Sequence, residues 1–331
     1  MQHKKALIAA AITAALAASA NVAAETTVYG KIHTSVAAVS EDTGASDTSA
    51  TEVRSNASRI GIKSDKAMEN GMTIKGQAEF EIDYVGDASK SSDDLIKLRN
   101  TFVGLKGGFG EVRVGMHDTP HKMSTAKLDP FGDTYADYNN IIQNDNRVNN
   151  AIAYLNNFGP VGFAVAYAAG EDAVDEENNN DATSVMLNYS AGDLYLSAAV
   201  ESFSDDVDPA ADDELETATK FGVGYTFGPV ALGLVHETLA YETRDDISEI
   251  YASLKFKASD SVAIKAAYGE RDDDIAATDD ETMMAIGVDY KMDKNASVYA
   301  LYASGEDGGL SKKGKLDGDS SALSLGLVYK F

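Results

Sequence analysis

The sequence contains no cysteine, no tryptophan and only five prolines among its 331 residues. Without cysteine there can be no disulfide framework, no thiolate zinc site and no cysteine nucleophile. Basic residues are also scarce, because 28 Lys and Arg stand against 53 Asp and Glu and give a net charge of -25. This balance predicts no nucleic-acid partner, since binding to phosphate backbones needs a basic surface.

The first 24 residues have the three-part pattern of a secretory signal peptide. Lys4 and Lys5 precede the small apolar run 6–18, and Val22-Ala23-Ala24 offers small residues for cleavage before Glu25. A membrane anchor is the alternative, but the run is short for a span of about 20 residues. We therefore predict a signal peptide over 1–24 and one domain over 25–331.

The rest of the chain shows the period of β-strands. No later segment has the roughly 18 consecutive apolar residues of a transmembrane helix. Apolar and polar side chains alternate instead, which places them on opposite faces of strands. Val28, Ile32 and Val36 alternate in this way with Tyr29, Lys31, His33 and Ser35.

The connections between these strands alternate in length. Seven tight turns rich in Gly, Asn, Asp and Pro interleave with eight long polar loops, which gives sixteen strands. This pattern predicts an all-β fold, namely a transmembrane antiparallel β-barrel of sixteen strands with short periplasmic turns and long extracellular loops. A soluble β-sandwich or β-helix would alternate too, but without the regular change of connection length.

The C-terminus ends abruptly on an aromatic residue. Leu323, Leu325, Leu327, Tyr329 and Phe331 share one face of the last strand. Aromatic residues at the last and third-last positions suit the aromatic girdle of a membrane barrel.

Several segments, taken in order, resemble the trimeric general porins of Gram-negative outer membranes. The resemblance runs over the whole mature chain and is carried by Val28-Tyr29-Gly30-Lys31, the segments 58–63, 99–107 and 147–154, and the terminal Phe331. It implies an outer-membrane channel for ions and small hydrophilic solutes. It also implies a homotrimer in lipid and lipopolysaccharide, and assembly by the barrel-assembly machinery, which reads Tyr329 and Phe331. A substrate-specific channel and a non-transport adhesin or structural barrel are the alternatives.

The same resemblance implies a pore constriction formed by the third long loop, 117–146, folded into the lumen. Porins place acidic residues at the tip of this loop, which here implies Asp129 and Asp133. They place a basic ladder on the wall opposite, and the matching positions are Lys31, Arg59, Arg99 and Arg147.

Strand alternation supports a lumen position for three of these basic residues. Lys31 lies opposite the face of Val28 and Ile32, and Arg59 lies opposite the face of Ile60 and Ile62. Arg99 is expected opposite the face of Leu98 and Phe102. An Arg facing lipid near the midplane would cost about 2–4 kcal/mol, so these side chains belong in the lumen.

Three of the long loops are strongly acidic. The segments Glu171–Asp181, Asp205–Glu216 and Asp272–Glu281 hold 19 of the 53 carboxylates. Acidic mouths concentrate cations, so we predict a weak cation preference despite the basic ladder. Divalent cations bridging these loops to lipopolysaccharide phosphates are a further hypothesis.

No pattern of catalysis is present, and we predict no catalytic, cofactor or metal site and no enzyme activity. His117 and His121 are four residues apart, but Pro120 between them argues against one helix carrying both. The segment Gly309–Lys315 has the spacing of a phosphate-binding loop without the required Ser or Thr after it, and we interpret it as an exposed loop.

Overall fold

The computed structural model describes residues 25–86, 95–170, 181–203, 215–242, 244–272 and 280–331. The predicted signal peptide, 1–24, and most of the three acidic loops lie outside these residues, so both remain predictions. No helix among the described residues has the length and hydropathy needed to cross a membrane.

The described chain is almost entirely β-strand. The strands are β1 (Glu25–Asp42), β2 (Asp47–Ser55), β3 (Arg59–Ala67), β4 (Thr73–Ile82), β5 (Ile96–Leu98), β6 (Thr101–Gly107), β7 (Gly110–Asp118), β8 (Arg147–Phe158), β9 (Val161–Ala168), β10 (Ala182–Ala191), β11 (Leu194–Phe203), β12 (Leu215–Phe227), β13 (Val230–Tyr241), β14 (Ile247–Lys257), β15 (Val262–Asp272), β16 (Glu281–Lys291), β17 (Ala296–Glu306) and β18 (Asp319–Lys330). Within the described ranges, helical structure is limited to α1 (Pro120–Thr125) and the 3-10 turns Ala126–Leu128 and Tyr138–Asn140.

These segments form one closed antiparallel barrel. Each strand pairs with its neighbour in sequence, and β18 pairs with β1 to close the sheet. Segments β2 and β3 are two halves of one strand, as are β5 and β6, so the eighteen segments make sixteen strands. The predicted fold class is confirmed. Closure leaves no sheet edge, so every strand has two hydrogen-bonded neighbours, as a bilayer requires.

The predicted alternation determines which side chains face outward. Val36, Val103 and Leu325 are half or more exposed on the outer surface, whereas Ser35, Phe102 and Ser324 next to them are buried inside. The apolar exterior is the surface that meets lipid.

Three strands carry an extra residue at one level of the barrel. Thr34 pairs with Ser55 but Lys31 pairs with Arg59, so the second strand uses four residues where β1 uses three. Between Leu98 and Phe102 the fourth strand likewise uses four residues where β4 uses three. Near Asn150, β8 has one residue more than the paired part of β7. Such β-bulges redirect the side chains that follow them.

One of these bulges corrects a sequence prediction. Alternation counted through the fourth strand placed Phe102 on the outer face with Leu98, opposite Arg99. Because the extra residue at 99–100 inverts the alternation, Phe102 lies inside the barrel, where the Arg113 guanidinium stands 4.5 Å from its ring centroid. Arg99 itself points inward, as predicted.

Candidate functional site

Loop L3, residues 119–146, lies inside the barrel and reaches the opposite wall at Asp133. The Asp133 carboxylate accepts hydrogen bonds from Lys31 and, at 2.7 Å, from Nη2 of Arg59. Lys31 and Arg59 are direct partners in the β1–β3 pairing, so they present two cations side by side. Loop and wall are therefore joined by an ion-paired contact at this point.

The other two predicted wall cations are paired with carboxylates of the wall itself. Arg99 Nε lies 2.8 Å from Glu79 Oε1, and Arg99 Nη1 lies 2.7 Å from Glu81 Oε2. Arg147 Nη2 lies 2.8 Å from Asp118 Oδ1. Arg99 is held in position by its two charge-assisted hydrogen bonds. Arg147 is held by the ion pair with Asp118 and by a hydrogen bond from its Nε to Asn100 Oδ1 at 3.1 Å.

No role in the constriction was assigned from the sequence to the carboxylates Glu79, Glu81 and Asp118, although Asp118 adjoins the third loop. With Asp133 they make four carboxylates for four cations, because Lys31 and Arg59 share Asp133 and Arg99 contacts both Glu79 and Glu81. A signal was available, since Glu79 and Glu81 alternate along the inward face of β4 and Glu81 pairs directly with Arg59. The wall is consequently near neutral rather than a bare basic ladder.

Ionisation of Asp133 follows from its two partners. Burial alone would raise the pKa of the Asp133 carboxyl, but the charges of Lys31 and Arg59 outweigh burial and lower the pKa to about 2. The folded pKa is then below the ordinary value of about 3.9. The ion pair therefore stabilises the loop fully above pH 4 and is lost as the pH falls towards 2.

We therefore expect the ion selectivity of an Asp129→Asn variant, which lacks the other carboxyl of the loop tip, to be constant from pH 8 to pH 5 and to change only below pH 4. Reversal potentials measured in a fixed salt gradient over this range test the expectation. A change of selectivity centred between pH 5 and pH 7 would contradict it.

Asp129, the second predicted acidic residue, lies away from the basic wall. Its Oδ1 accepts hydrogen bonds from the Phe131 N–H at 2.7 Å and from the Tyr251 hydroxyl at 2.9 Å, while its Oδ2 accepts from the Tyr138 N–H at 3.2 Å. Burial and the charge of Asp137 raise its pKa to about 7. Asp129 thus organises the loop and docks it on β14, and the structure does not bring it to Lys31 or Arg59.

The apolar side of loop L3 packs onto the wall opposite the predicted basic residues. Phe131, Tyr135 and Ile141 are fully buried in one cluster with Tyr251 and Met283 of the wall. Backbone carbonyls of the loop also accept hydrogen bonds from wall side chains. The donors are Tyr195, Ser253 and Lys265, and the acceptors are the carbonyls of Ser124, Leu128 and Pro130.

Glycines in the wall make room for this packing. A Cβ added at Gly224 would lie 2.8 Å from Leu128 Cδ2, and one at Gly269 would lie 2.7 Å from Ile141 Cγ1. At Gly233 an added Cβ would lie 2.9 Å from the carbonyl oxygen of Leu128. The close approach of loop to sheet therefore depends on the missing side chains.

Replacing Gly233 with alanine is expected to displace loop L3, because backbone at Leu128 cannot move aside as a flexible side chain can. Overpacking of this kind costs about 1–3 kcal/mol. We expect an altered and noisier single-channel conductance. Gly76→Ala is the matched control, since a Cβ at Gly76 meets nothing within 4 Å. Single-channel conductance that is the same in the two variants would contradict the claim that Gly233 makes room for loop L3.

A buried group of charges lies beneath the start and end of loop L3. Lys220 Nζ is 3.4 Å from Glu237 Oε1 and 3.8 Å from Asp145 Oδ1, and its relative side-chain exposure is 0%. Glu237 also approaches His121 Nε2 at 3.2 Å and accepts the Asn144 N–H at 3.2 Å. Both ends of the loop are thereby connected to β12 and β13.

The histidine pair does not form one helical face. His117 lies in β7, whereas His121 lies in α1, which Pro120 begins and the Thr119 side chain caps. Pro120 therefore separates the two residues, as predicted, but does so by starting a helix. Among the described residues, no group of three His, Asp or Glu has the arrangement of a metal site.

The C-terminal residues complete the barrel at the short-turn end. The Phe331 N–H donates to the Gly30 carbonyl at 3.1 Å, and the Gly30 N–H donates to the Phe331 carbonyl at 3.0 Å. Tyr329 and Phe331 stack with ring centroids 6.0 Å apart and are nearly half exposed. Their recognition during assembly stays a prediction.

The last long connection, residues 307–318, is partly buried and not simply exposed as predicted. We name these residues loop L8. Leu310 and Leu316, at either end of the phosphate-loop-like segment, are 0% and 1% exposed. Because both leucines pack against loop L3, the interpretation as a simple exposed loop is wrong.

Comparison with known proteins agrees with this architecture. A family model described as Gram-negative porin matches residues 6–331. Outer membrane porin protein 32 of Delftia acidovorans is 30% identical over 254 residues, covering 71% of this chain and 70% of that protein. Major outer membrane protein P.IB of Neisseria meningitidis is 28% identical over 198 residues, covering 58% of this chain and 57% of that protein.

Solved structures show the same fold. The anion-selective porin from Comamonas acidovorans superposes with a TM-score of 0.71 at 19% identity, covering 93% of this chain and all of that one. In-vitro folded OmpT of Vibrio cholerae, in its trimer form, has a TM-score of 0.68 at 19% identity with the same coverage. Because the family model spans nearly the whole sequence, the chain is a member of the Gram-negative porin family, an outer-membrane β-barrel.

Proposed function

We propose that the protein is a water-filled channel for passive diffusion of ions and small hydrophilic solutes. The observation that carries this proposal is loop L3 crossing the lumen to Lys31 and Arg59 at Asp133. One side of the loop is docked on glycines and apolar side chains, and the other side carries charge. Charged groups on a narrowed aqueous path admit polar solutes and select among ions.

Lys31, Arg59, Arg99, Arg147 and Asp133 are the residues to which we assign the constriction. Their ion pairs fix the positions of the charges without leaving a large net charge of either sign. Asp129 has a supporting role in this proposal, since it holds the loop rather than facing the wall cations.

Within this proposal the channel has a weak cation preference. The paired wall contributes little net charge, while the whole sequence carries 53 carboxylates against 28 basic residues. An acidic mouth raises the local concentration of cations. The structural relative from Comamonas acidovorans is described as anion-selective, so the sign of the reversal potential separates the two behaviours.

Liposome swelling with neutral sugars of increasing size tests the diffusion proposal. Purified refolded protein is expected to admit small sugars quickly and larger sugars at rates that fall steeply with size. Uptake that saturates for one sugar and excludes others of equal size would favour a substrate-specific channel instead.

We propose that the barrel assembles as a homotrimer in lipid and lipopolysaccharide. The family resemblance and the trimer form of OmpT support this assembly.

Divalent cations bridging the acidic loops to lipopolysaccharide belong to the same proposal. Removing divalent cations with a chelator is expected to lower the melting temperature of the trimer, and an unchanged melting temperature would count against bridging.

Phe331 is proposed as the residue that the barrel-assembly machinery reads. Phe331→Ala is expected to lower the amount of assembled protein in the outer membrane several-fold, and protein refolded in vitro is expected to conduct normally. Phe227→Ala is the control, because Phe227 is an exposed aromatic residue at another strand end near a short turn. Equal membrane levels of both variants would contradict the assignment.

A further inference from the structure

Loop L8 is built into the mouth of the barrel. Its Leu310 and Leu316 belong to the same buried cluster as Tyr135 and Ile141 of loop L3. A loop whose apolar side chains are fully buried in this way gains about 1.5–3 kcal/mol for each Leu. Loop L8 therefore has a defined position on top of loop L3.

Polar contacts fix this position further. The buried Asn140 side-chain oxygen accepts the N–H groups of Lys313 at 2.6 Å and Gly314 at 3.0 Å. Its amide nitrogen donates to the Tyr135 carbonyl at 2.8 Å, so the same side chain is anchored within loop L3. A single asparagine thus joins the backbones of the two loops.

Arg54 on β2, in the barrel wall, contacts both loops. Its Nη1 donates to the Gly314 carbonyl at 2.9 Å and its Nη2 donates to the Lys313 carbonyl at 3.1 Å. The guanidinium lies 4.4 Å from the centroid of the Tyr135 ring. The wall, loop L3 and loop L8 therefore meet at one arginine.

The glycines of the phosphate-loop-like segment have a packing role. A Cβ added at Gly309 would lie 1.7 Å from the Thr282 carbonyl oxygen, and one at Gly314 would lie 2.3 Å from the Leu310 carbonyl oxygen. Only glycine allows these close backbone contacts. The spacing that resembles a nucleotide motif is explained by the fit of the loop against β16 and against itself.

With loop L8 in this position, Lys312 and Lys313 lie on the outer face of loop L3. The Lys312 ammonium donates to the Gln143 carbonyl of loop L3. Within the described ranges, no carboxylate lies at salt-bridge distance from Lys312 or Lys313, in contrast to Lys31 and Arg59, although the charges of Glu249 and Asp137 act on them from farther away. Two positive charges therefore stand at the mouth without a direct ion pair of the kind seen deeper in the pore.

We propose that loop L8 is a second fixed element of the channel, and that Lys312 and Lys313 form a contact point for small anions ahead of the L3 constriction. The ligand class is a small carboxylate or phosphate, which an ammonium group binds as a point charge. The inference rests on the proposed channel function, because it assigns a step along that path. The two lysines would weaken the cation preference caused by the acidic loops.

The test is the double substitution Lys312→Gln and Lys313→Gln in the full-length protein, measured in a planar bilayer with a potassium chloride gradient. We expect the potassium-to-chloride permeability ratio to rise about twofold or more, and the flux of inorganic phosphate to fall, because two charges leave a confined mouth. Lys294→Gln is the matched control, since Lys294 lies in a short turn at the other end of the barrel.

The outcomes separate the two proposals. Unchanged permeability ratio and phosphate flux in an openly conducting double variant would overturn the role of the lysines and leave the channel function intact. No conductance from the wild-type protein would overturn the channel function itself.

Replacing residues 311–315 with Gly-Ser tests the loop separately. A larger conductance is expected, and an unchanged one would contradict the placement of loop L8 in the path.

Discussion

Replacing Asp133 with asparagine is expected to shift the channel from a weak cation preference to an anion preference. The substitution removes the carboxylate shared by Lys31 and Arg59, and leaves both cations unpaired on the lumen wall. A unit charge at 4 Å is worth about 1 kcal/mol even in bulk water, which corresponds to about fivefold in a permeability ratio. The measurement is the reversal potential in a salt gradient across a planar bilayer.

Asp129→Asn is the matched control for this prediction. Asp129 lies in the same loop, four residues away, but its oxygens accept hydrogen bonds from Phe131, Tyr138 and Tyr251 instead of pairing with a cation. Asparagine retains one acceptor oxygen there, so we expect a small change of selectivity. Equal shifts from the two variants would show that loop position, and not the ion pair at Asp133, determines selectivity.

Replacing Lys220 with methionine is expected to give the largest loss of stability. Lys220 is fully buried and lies between Glu237 and Asp145, which are themselves buried. Removing one partner of a buried ionic group costs about 3–5 kcal/mol, because the remaining charge is left uncompensated. We expect a lower melting temperature of the folded barrel and a larger, noisier conductance as loop L3 separates from β12 and β13.

A second substitution distinguishes charge from volume. In Lys220→Met with Glu237→Gln, the uncompensated carboxylate is gone and the glutamine oxygen still accepts the Asn144 N–H, so we expect at least half of the lost stability to return. Lys257→Met is the control for loss of an exposed lysine. A single Lys220→Met variant that melts and conducts like the wild type would rule out the buried charges as the loop anchor.

The barrel was predictable because each of its determinants is local in sequence. Alternation with period two places Val36 outside and Ser35 inside, and turn residues separate successive strands. The β-bulges were not predictable in this way, since an extra residue in one strand is recognised only against its partner. Phe102 was assigned to the wrong face for this reason.

The constriction was predictable in part. The positions of Lys31, Arg59, Arg99 and Arg147 on the inward face follow from motif and alternation. Alternation along β4 shows that Glu79 and Glu81 face inward, but it does not show which cation each one contacts. The actual pairs, Arg99 with Glu79 and Glu81 and Arg59 with Asp133, depend on contacts between strands and with loop L3.

Asp129 and Asp133 illustrate why loop residues could not be separated from the sequence alone. Both are acidic and lie four residues apart, yet one docks on Tyr251 and the other reaches Lys31. The path of loop L3 is set by glycines on strands far along the chain, including Gly233 and Gly269. Loop L8 is likewise positioned by Asn140, more than 170 residues away in sequence.

The central claim, an open channel narrowed by loop L3, is tested most directly by single-channel conductance of the refolded full-length protein in a planar bilayer with a salt gradient. We predict large ohmic steps that close in thirds, with a reversal potential showing weak cation preference. A folded, heat-modifiable barrel that produces no conductance steps would contradict the account.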